Sequence, residues 1–262
     1  MIPEKPPKKM LRNIGKAITE YNMIKDGDHI LLGLSGGKDS MALLHTLAHL
    51  QKYAPVNFKL STATINPLAD GFEPTPLRTY VESMDISFFM ESFSIFEQAK
   101  KSMRNDSYCA FCSRIRRGML YSIARRENCN VLALAQHLDD LAESFLMSSF
   151  YTGKLETMKA HYTNDIGDLR VIRPFVYVRE RQITDFVNTA SLPIIEDNCI
   201  GKETQRSRPH IKKLLEEQEK INHHLFKSLM NALKPLMADN NTIPANPYAA
   251  GKKVLRQRNS DA

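Results

Sequence analysis

The sequence predicts an α/β protein: a doubly wound, mainly parallel sheet with an N-terminal helix and a long C-terminal helix. Two observations carry this. Short apolar runs rich in β-formers alternate with helical periodicities across residues 29–190, the pattern of parallel strands joined by crossover helices. The first of these runs leads directly into Ser35-Gly36-Gly37-Lys38-Asp39-Ser40 and then into a helical pattern. A strand, a glycine turn and a helix start form the unit on which such folds bind phosphate.

The elements follow in order. Residues 8–23 place Met10, Leu11, Ile14, Ala17, Ile18 and Tyr21 on one side and read as a helix. Gly27-Asp28 is a turn, 29–34 the first strand and 40–52 the helix after the glycine loop. Residues 58–65 alternate as a second strand, 67–71 form a loop, 76–84 a helix and 86–90 a third strand. Residues 113–127 read as a helix with Ser113 as N-cap, and 131–135 as a buried strand. A helix over 139–151 is closed by Gly153, 171–175 is a short strand, and a helix over 180–190 stops before Pro193. From Pro209, the apolar set Ile211, Leu214, Leu215, Ile221, Leu225, Leu229 and Leu233 marks one long amphipathic helix reaching Pro235. It packs on the core or on a second subunit, the latter making a homodimer. The expected organisation is therefore a basic helical segment (1–28), a catalytic unit (29–206), a C-terminal helix (207–237) and a flexible basic tail (238–262).

Composition narrows the class. With 42% hydrophobic and 25% charged residues the chain has the balance of a water-soluble globular protein. No stretch is long and apolar enough to span a bilayer, and the N-terminus lacks an apolar signal core, so a cytoplasmic location without membrane is expected. The net charge of +7 suggests a polyanionic partner. The charge is clustered: Lys5, Lys8, Lys9, Arg12 and Lys16; then Arg114, Arg116, Arg117, Arg125 and Arg126; then Lys252, Lys253, Arg256 and Arg258. Three such clusters suit the backbone of a folded RNA.

The glycine loop is not a Walker A motif. That pattern requires Gly at position 32 and Ser or Thr after Lys38, and the chain has Leu32 and Asp39. The loop instead resembles the PP-loop, S-G-G-x-D-S, of the N-type ATP pyrophosphatases. The resemblance implies cleavage of ATP between its α- and β-phosphates and adenylation of a substrate oxygen.

The four cysteines are Cys109, Cys112, Cys129 and Cys199. A C-x-x-C without a secretory signal reads as a metal or redox pair rather than a structural disulfide. Cys129 opens a buried strand and reads as an inert core thiol. The remaining candidate ligand set is Cys109, Cys112 and Cys199. Three thiolates suit an iron–sulfur cluster with one open iron, zinc with one open position, or a persulfide resolved as a disulfide.

Three further segments extend the resemblance. Residues Tyr108-Cys109-Ala110-Phe111-Cys112-Ser113-Arg114-Ile115-Arg116-Arg117-Gly118 look like the C-x-x-C-x-R-x-R-R-G segment of tRNA 2-thiocytidine synthetases. Leu134-Ala135-Gln136-His137-Leu138-Asp139-Asp140-Leu141-Ala142-Glu143-Ser144 is similar to their L-G-H-H-x-D-D-x-x-E-T block. Ile172-Arg173-Pro174-Phe175-Val176-Tyr177-Val178-Arg179-Glu180 is similar to their R-P-L-x-Y-V-x-E segment. Ala135, Gln136 and Ser144 depart from it, standing where the family usually has Gly, His and Thr. The family converts a cytosine of the tRNA anticodon loop, at position 32, to 2-thiocytosine. It uses ATP, Mg²⁺, a sulfur donor such as a cysteine desulfurase or sulfide, and a [4Fe-4S] cluster, here implied on Cys109, Cys112 and Cys199.

The implied reaction has two steps. Ser35, Gly36, Gly37, Lys38 and Ser40 hold the phosphates while Asp39, Asp139 or Asp140 places Mg²⁺ and C2–O of the pyrimidine is adenylated. His137 and Asn66 are further candidates for nucleotide contact. Sulfur then attacks C2 and AMP leaves, with Arg116 and its neighbours Arg114 and Arg117 binding RNA phosphate or the activated base. Gly118, in the middle of the same helix, suggests close approach by RNA or another helix. Alternatives are a tRNA 2-thiouridine synthetase, whose usual terminal C-x-x-C pairs are missing here, or another PP-loop ligase acting on RNA, which would not need three cysteines. A zinc-stapled RNA-binding protein would have no use for the loop.

Overall fold

The computed structural model describes residues 2–68, 72–94, 97–99, 108–195 and 207–238, without the side chain of Cys109. Six strands form one sheet in the order β3-β2-β1-β4-β6-β5. Their spans are β1 (Asp28–Gly33), β2 (Phe58–Asn66), β3 (Ser87–Ser92), β4 (Val131–Ala133), β5 (His161–Thr163) and β6 (Arg170–Ile172). All neighbours run parallel except β5, which pairs antiparallel with β6. The helices are α1 (Lys8–Glu20), α2 (Lys38–Tyr53), α3 (Thr75–Glu82), α4 (Tyr108–Arg126), α5 (Leu138–Thr152), α6 (Glu180–Thr189), α7 (Ser207–Ile221) and α8 (Leu225–Met237).

Strand alternation divides the core. Ile30, Leu32, Val131, Ala133 and Ile172 face one cluster, which α1, α2, α5, α6, α7 and α8 cover. Leu31, Leu132 and Val171 face the other, filled by Leu120, Ile123 and Ala124 of α4. Successive strand residues point to opposite faces, so strands covered on both sides must be apolar throughout. That is why β1 reads Ile30-Leu31-Leu32 without a polar break.

The chain moves outward in one direction from β1 to β2 and β3, and in the other from β1 to β4 and β6. The order reverses between β1 and β4. A crevice opens there at the carboxyl ends, the place where open α/β sheets bind ligands. The glycine loop leaves β1 and the His137 block leaves β4, so the topology alone brings them together.

Three expectations need correction. The helix expected over 113–127 starts earlier, at Tyr108, so Ser113 lies inside α4 and is not its cap. The single helix expected up to Pro235 is two helices, α7 and α8. Asn222 breaks it: its side-chain oxygen accepts from His224 N at 3.0 Å and its carbonyl from Leu225 N at 2.9 Å, a local turn that competes with helix. Ile221, read as part of the apolar stripe, is consequently 78% exposed. Strand β5 went unread because a three-residue strand carries almost no periodicity; the turn at Asn164, whose side-chain oxygen accepts from the N–H groups of Gly167, Asp168 and Leu169, folds it back onto β6. The expected tail, from residue 239, lies outside the described residues.

Asp28 ties the amino ends of three strands together. One carboxylate oxygen accepts from Arg170 of β6 and from Asn130 Nδ2, ahead of β4, at 3.0 Å; the other accepts from Lys25 N at 2.7 Å. Removing one partner of a buried pair strands the other charge. Asp28→Ala should therefore lower the unfolding free energy by about 3 kcal/mol, read as a drop in the urea midpoint with the slope unchanged.

Candidate active site at the sheet crevice

One cavity of about 680 Å³ occupies the crevice, a size that suits a nucleotide-scale ligand. Ser35, Gly37, Asp39 and Ser40 line one side, Gln136 and Asp140 another, Arg116 and Arg117 of α4 a third, and Arg173 and Arg208 complete it.

The glycine loop is held by its own hydroxyls. Ser40 Oγ donates to Gly37 O at 2.9 Å and accepts from Ser35 N at 3.2 Å. Ser35 Oγ lies 3.1 Å from Ser40 Oγ and accepts from Gly37 N at 3.3 Å. Gly37 caps α2 without any side-chain hydrogen bond, so the helix opens toward the cavity with its first N–H groups uncapped. Gly36 sits at φ +84°, and its carbonyl accepts from Ile195 N at 3.0 Å. A side chain there would be strained, and its Cβ would stand 3.0 Å from Ile195 Cβ. Of the two adjacent glycines, Gly36 is the one the backbone requires, for its left-handed φ and its contact with Ile195; Gly37, at φ −72°, is the N-cap residue of α2.

Lys38 Nζ bridges Asp39, at 3.0 Å, and Glu180 at the start of α6, also at 3.0 Å. Burial opposes its charge, but these carboxylates outweigh burial and raise the Lys38 pKa. Burial likewise works to raise the Glu180 pKa; Lys212 and Lys38 overcome it and hold the carboxyl at about 2.

The two adjacent aspartates have separate tasks. Asp139 is buried, accepting from Arg179 Nε at 3.0 Å and from Glu180 N at 2.7 Å, and so fastens the start of α6 to the start of α5. Asp140 lines the cavity. It forms a capping box with His137: His137 N donates to Asp140 Oδ2 at 3.1 Å, and Asp140 N donates to His137 Nδ1 at 3.3 Å. With Nδ1 accepting, the ring proton resides on Nε2, which faces Asp140 Oδ2 at 3.4 Å and Asp39 Oδ1 at 3.8 Å. His137 is therefore a buried cap that holds two carboxylates beside it, and is not a cavity-lining group.

Of the other expected residues, Asn66 ends β2 with its side-chain oxygen accepting from Leu68 N at 2.9 Å, and it does not line the cavity. Cys112 is buried in α4, while Ala110 and Ser113, flanking it, line the cavity. Cys199 and the Cys109 side chain lie outside the described residues. Burial drives the Cys129 thiol up to about 12, as an inert core thiol requires. Arg114 is exposed and stacks over Phe111. Arg116 and Arg117 line the cavity, and Arg116 Nε is buried without a hydrogen-bond partner among the described residues. A Cβ on Gly118 would meet nothing within 4 Å, so packing against another helix does not account for that glycine among the described residues.

Several groups at the site were not singled out from sequence. Arg208 contacts Asp140 at 3.3 Å and Glu143 at 3.4 Å. Arg179 makes a two-pronged bridge to Glu219, at 2.6 and 2.8 Å, and lies over the Phe226 ring. Burial pushes the Glu143 carboxyl up to about 7 against the pull of Arg208. These side chains belong to elements far apart in the chain, and no local pattern links them.

A mostly parallel sheet with this loop at its reversal point, and an acidic helix start facing it, defines a PP-loop protein. The PP-loop domain family matches residues 7–218. The tRNA-cytidine(32) 2-sulfurtransferase of Geobacter sulfurreducens is 37% identical over 228 residues, covering 86% of this chain and 89% of that protein. The enzyme of the same name from Aliivibrio salmonicida is 36% identical over 243 residues, covering 90% and 78%. The chain belongs to the PP-loop family of tRNA-cytidine(32) 2-sulfurtransferases. Its fold is shared with the U34-tRNA thiolase NcsA from Methanococcus maripaludis, solved with its [4Fe-4S] cluster, at a TM-score of 0.73 and 21% identity, covering 91% of this chain and 80% of that one.

Gly36→Ala should weaken ATP binding at least 10-fold by isothermal titration and lower stability by about 1–3 kcal/mol, because it combines a strained φ with the Ile195 contact. Glu143 gives a pH signature. Its folded pKa, about 7, lies above its ordinary value of 4.5, so the proton it holds stabilises the fold at low pH. That contribution is lost as pH rises through about 7. The melting-temperature advantage of Glu143→Gln over the parent should therefore grow between pH 5 and pH 8.

Proposed function

We propose that the chain adenylates C2–O of the cytosine at position 32 of a tRNA and replaces that oxygen by sulfur, giving 2-thiocytidine, AMP and pyrophosphate. The observation that carries this is one shared cavity: the loop Ser35–Ser40 and the helix that bears Cys109 and Cys112 line the same space. The relatives named above are tRNA-cytidine(32) 2-sulfurtransferases, which supports this substrate.

In this reading Ser35, Gly36, Gly37, Lys38 and Ser40 receive the phosphates of ATP. The C2 oxygen attacks the α-phosphorus, the bond to the β-phosphate breaks, and pyrophosphate departs toward Lys38 and the start of α2. Asp39 and Asp140 are the carboxylates that would hold Mg²⁺. Both face His137 Nε2, within 4 Å, and two carboxylates plus phosphate oxygens are the usual magnesium donor set. There the ion would spread the negative charge of the leaving pyrophosphate. Asp139, spent on Arg179 and Glu180, contributes by position only.

Cys109, Cys112 and Cys199 are the proposed ligands of a [4Fe-4S] cluster. The first two are three residues apart on α4, one turn of helix, and soft thiolates suit iron. The cluster of the fold neighbour supports the choice over zinc. When bound, it would hold the donor's sulfide as the nucleophile. Arg116 and Arg117 hold the RNA or the activated base. Residues 29–206 form the proposed catalytic unit, with 1–28 and 207–237 as helical additions and 238–262 as a basic segment toward RNA. The sulfur donor is free sulfide, or a desulfurase persulfide together with a thiol reductant that supplies two electrons, and the compartment is the cytoplasm.

The reading is tested by nucleoside analysis of tRNA from a deletion strain, where 2-thiocytidine should vanish; unchanged 2-thiocytidine refutes it. Protein purified without oxygen should be coloured, with a cluster absorption band in the visible. Cys112→Ser and Cys199→Ser should lose that absorbance and thiolation while keeping ATP binding, and Cys129→Ala should keep all three.

A further inference from the structure

Gln136 follows β4 at the edge of the crevice, and the structure gives it a defined chemical face. Arg173, 4% exposed, donates from Nε to Gln136 Oε1 at 2.8 Å. It also donates from NH1 to Lys159 O at 2.6 Å and lies over the Tyr162 ring at 5.6 Å, so its guanidinium is locked. An arginine only donates, so the amide must present its oxygen to Arg173. The oxygen is spent, and Nε2 keeps two N–H groups with no hydrogen-bond partner among the described residues. Gln136 lines the cavity together with Met147 and Met158, whose thioethers offer an apolar wall.

The polar groups around it are also donors. Arg116, Arg117 and Arg208 reach the same cavity. The carboxylates there, Asp39 and Asp140, face Lys38, His137 and Arg208. Cytosine presents two adjacent acceptors, O2 and N3. Uracil presents the same O2 but an N3–H donor. A donor at Gln136 is matched by cytosine N3 and opposed by uracil N3–H.

We infer that Gln136 reads N3 of the target base and so selects cytosine over uracil, with Arg173 as the residue that orients it. This rests on the proposed thiolation of a tRNA cytosine and adds the side chain that chooses the base.

The test uses the full chain, reconstituted without oxygen, and two tRNA transcripts that differ only in C or U at the target position. Thiolated nucleoside formation gives kcat/KM for each, and ATP KM is measured separately. Gln136→Glu keeps the shape but removes the N–H donors. It should lower kcat/KM on the C transcript by about 10–100-fold, shrink the C-over-U ratio by a similar factor, and leave ATP KM within about two-fold. Gln136→His, which retains a ring N–H, should keep the preference for C. Arg173→Lys should shrink the C-over-U ratio without moving ATP KM, a change that a purely structural role would not produce. A substrate-side measurement does not depend on any variant folding: wild-type enzyme should lose about 10-fold when the target is 3-deazacytidine, which has C–H in place of N3.

An unchanged C-over-U ratio in Gln136→Glu, or full activity of wild-type enzyme on the 3-deaza base, overturns the inference. A rise in ATP KM with the ratio intact overturns it too, and assigns Gln136 to the nucleotide. Wild-type enzyme that thiolates neither transcript refutes the underlying reading as well, a result distinct from loss of selectivity alone.

Discussion

The site depends on where the carboxylate of Asp139 is committed. By accepting from Arg179 Nε and Glu180 N, it docks the start of α6 on the start of α5. Everything near the glycine loop follows from that contact. Glu180 comes to Lys38, and Arg179 reaches Glu219 of α7 and Phe226 of α8. The C-terminal helices are thereby fixed relative to the crevice. With Asp139 occupied in this way, its neighbour Asp140 is turned to the cavity. Two adjacent acidic residues at a helix start would ordinarily both serve the dipole; here one builds the wall and the other faces the ligand space.

The charge pairs in that space are strong enough to order it and weak enough to exchange. Lys38 and Glu180 have side chains 30% and 25% exposed, so their bridge is partly screened and each such contact contributes about 1 kcal/mol at most. A triphosphate brings more negative charge than Asp39 and Glu180 together. Lys38 can transfer to it while Glu180 stays paired with Lys212, 2.7 Å away. The loop is thus held by contacts that an incoming phosphate would replace.

Contiguous motifs were legible from sequence, and assembled ones were not. The Ser35–Ser40 loop, the His137–Asp140 block and the alternating strands each lie within a few residues, so local periodicity and spacing reveal them. The reversal of strand order between β1 and β4 then joins the two blocks. Which aspartate faces the cavity depends on Arg179, forty positions away, and no spacing rule reports that. Arg208 meets Asp140 across 68 positions for the same reason. Ser113 was misread as a cap because Cys109-Ala110-Phe111-Cys112 carries no helix signal of its own, although α4 runs through it. The helix break at Asn222 was hidden by apolar residues that kept their period on both sides.

The distribution of unpaired charge indicates where RNA would be felt. Further along α4, Arg125 bridges Asp168, and Arg126 bridges Glu91 and Glu127. On the same helix at the cavity, Arg116 and Arg117 have no carboxylate partner among the described residues. Arg173 is buried among an amide, a carbonyl and a tyrosine ring, and burial lowers its pKa. A buried guanidinium without a counter-charge is costly unless something arrives to balance it. The net charge of +7 is therefore not a uniform coat. Part of it, on Arg116, Arg117 and Arg173, lies in the crevice beside the glycine loop. The anion that balances those arginines has to enter beside the loop. A polynucleotide backbone would do this while delivering a base to the same cavity, whereas a small phosphate would satisfy the loop and leave the α4 arginines unpaired.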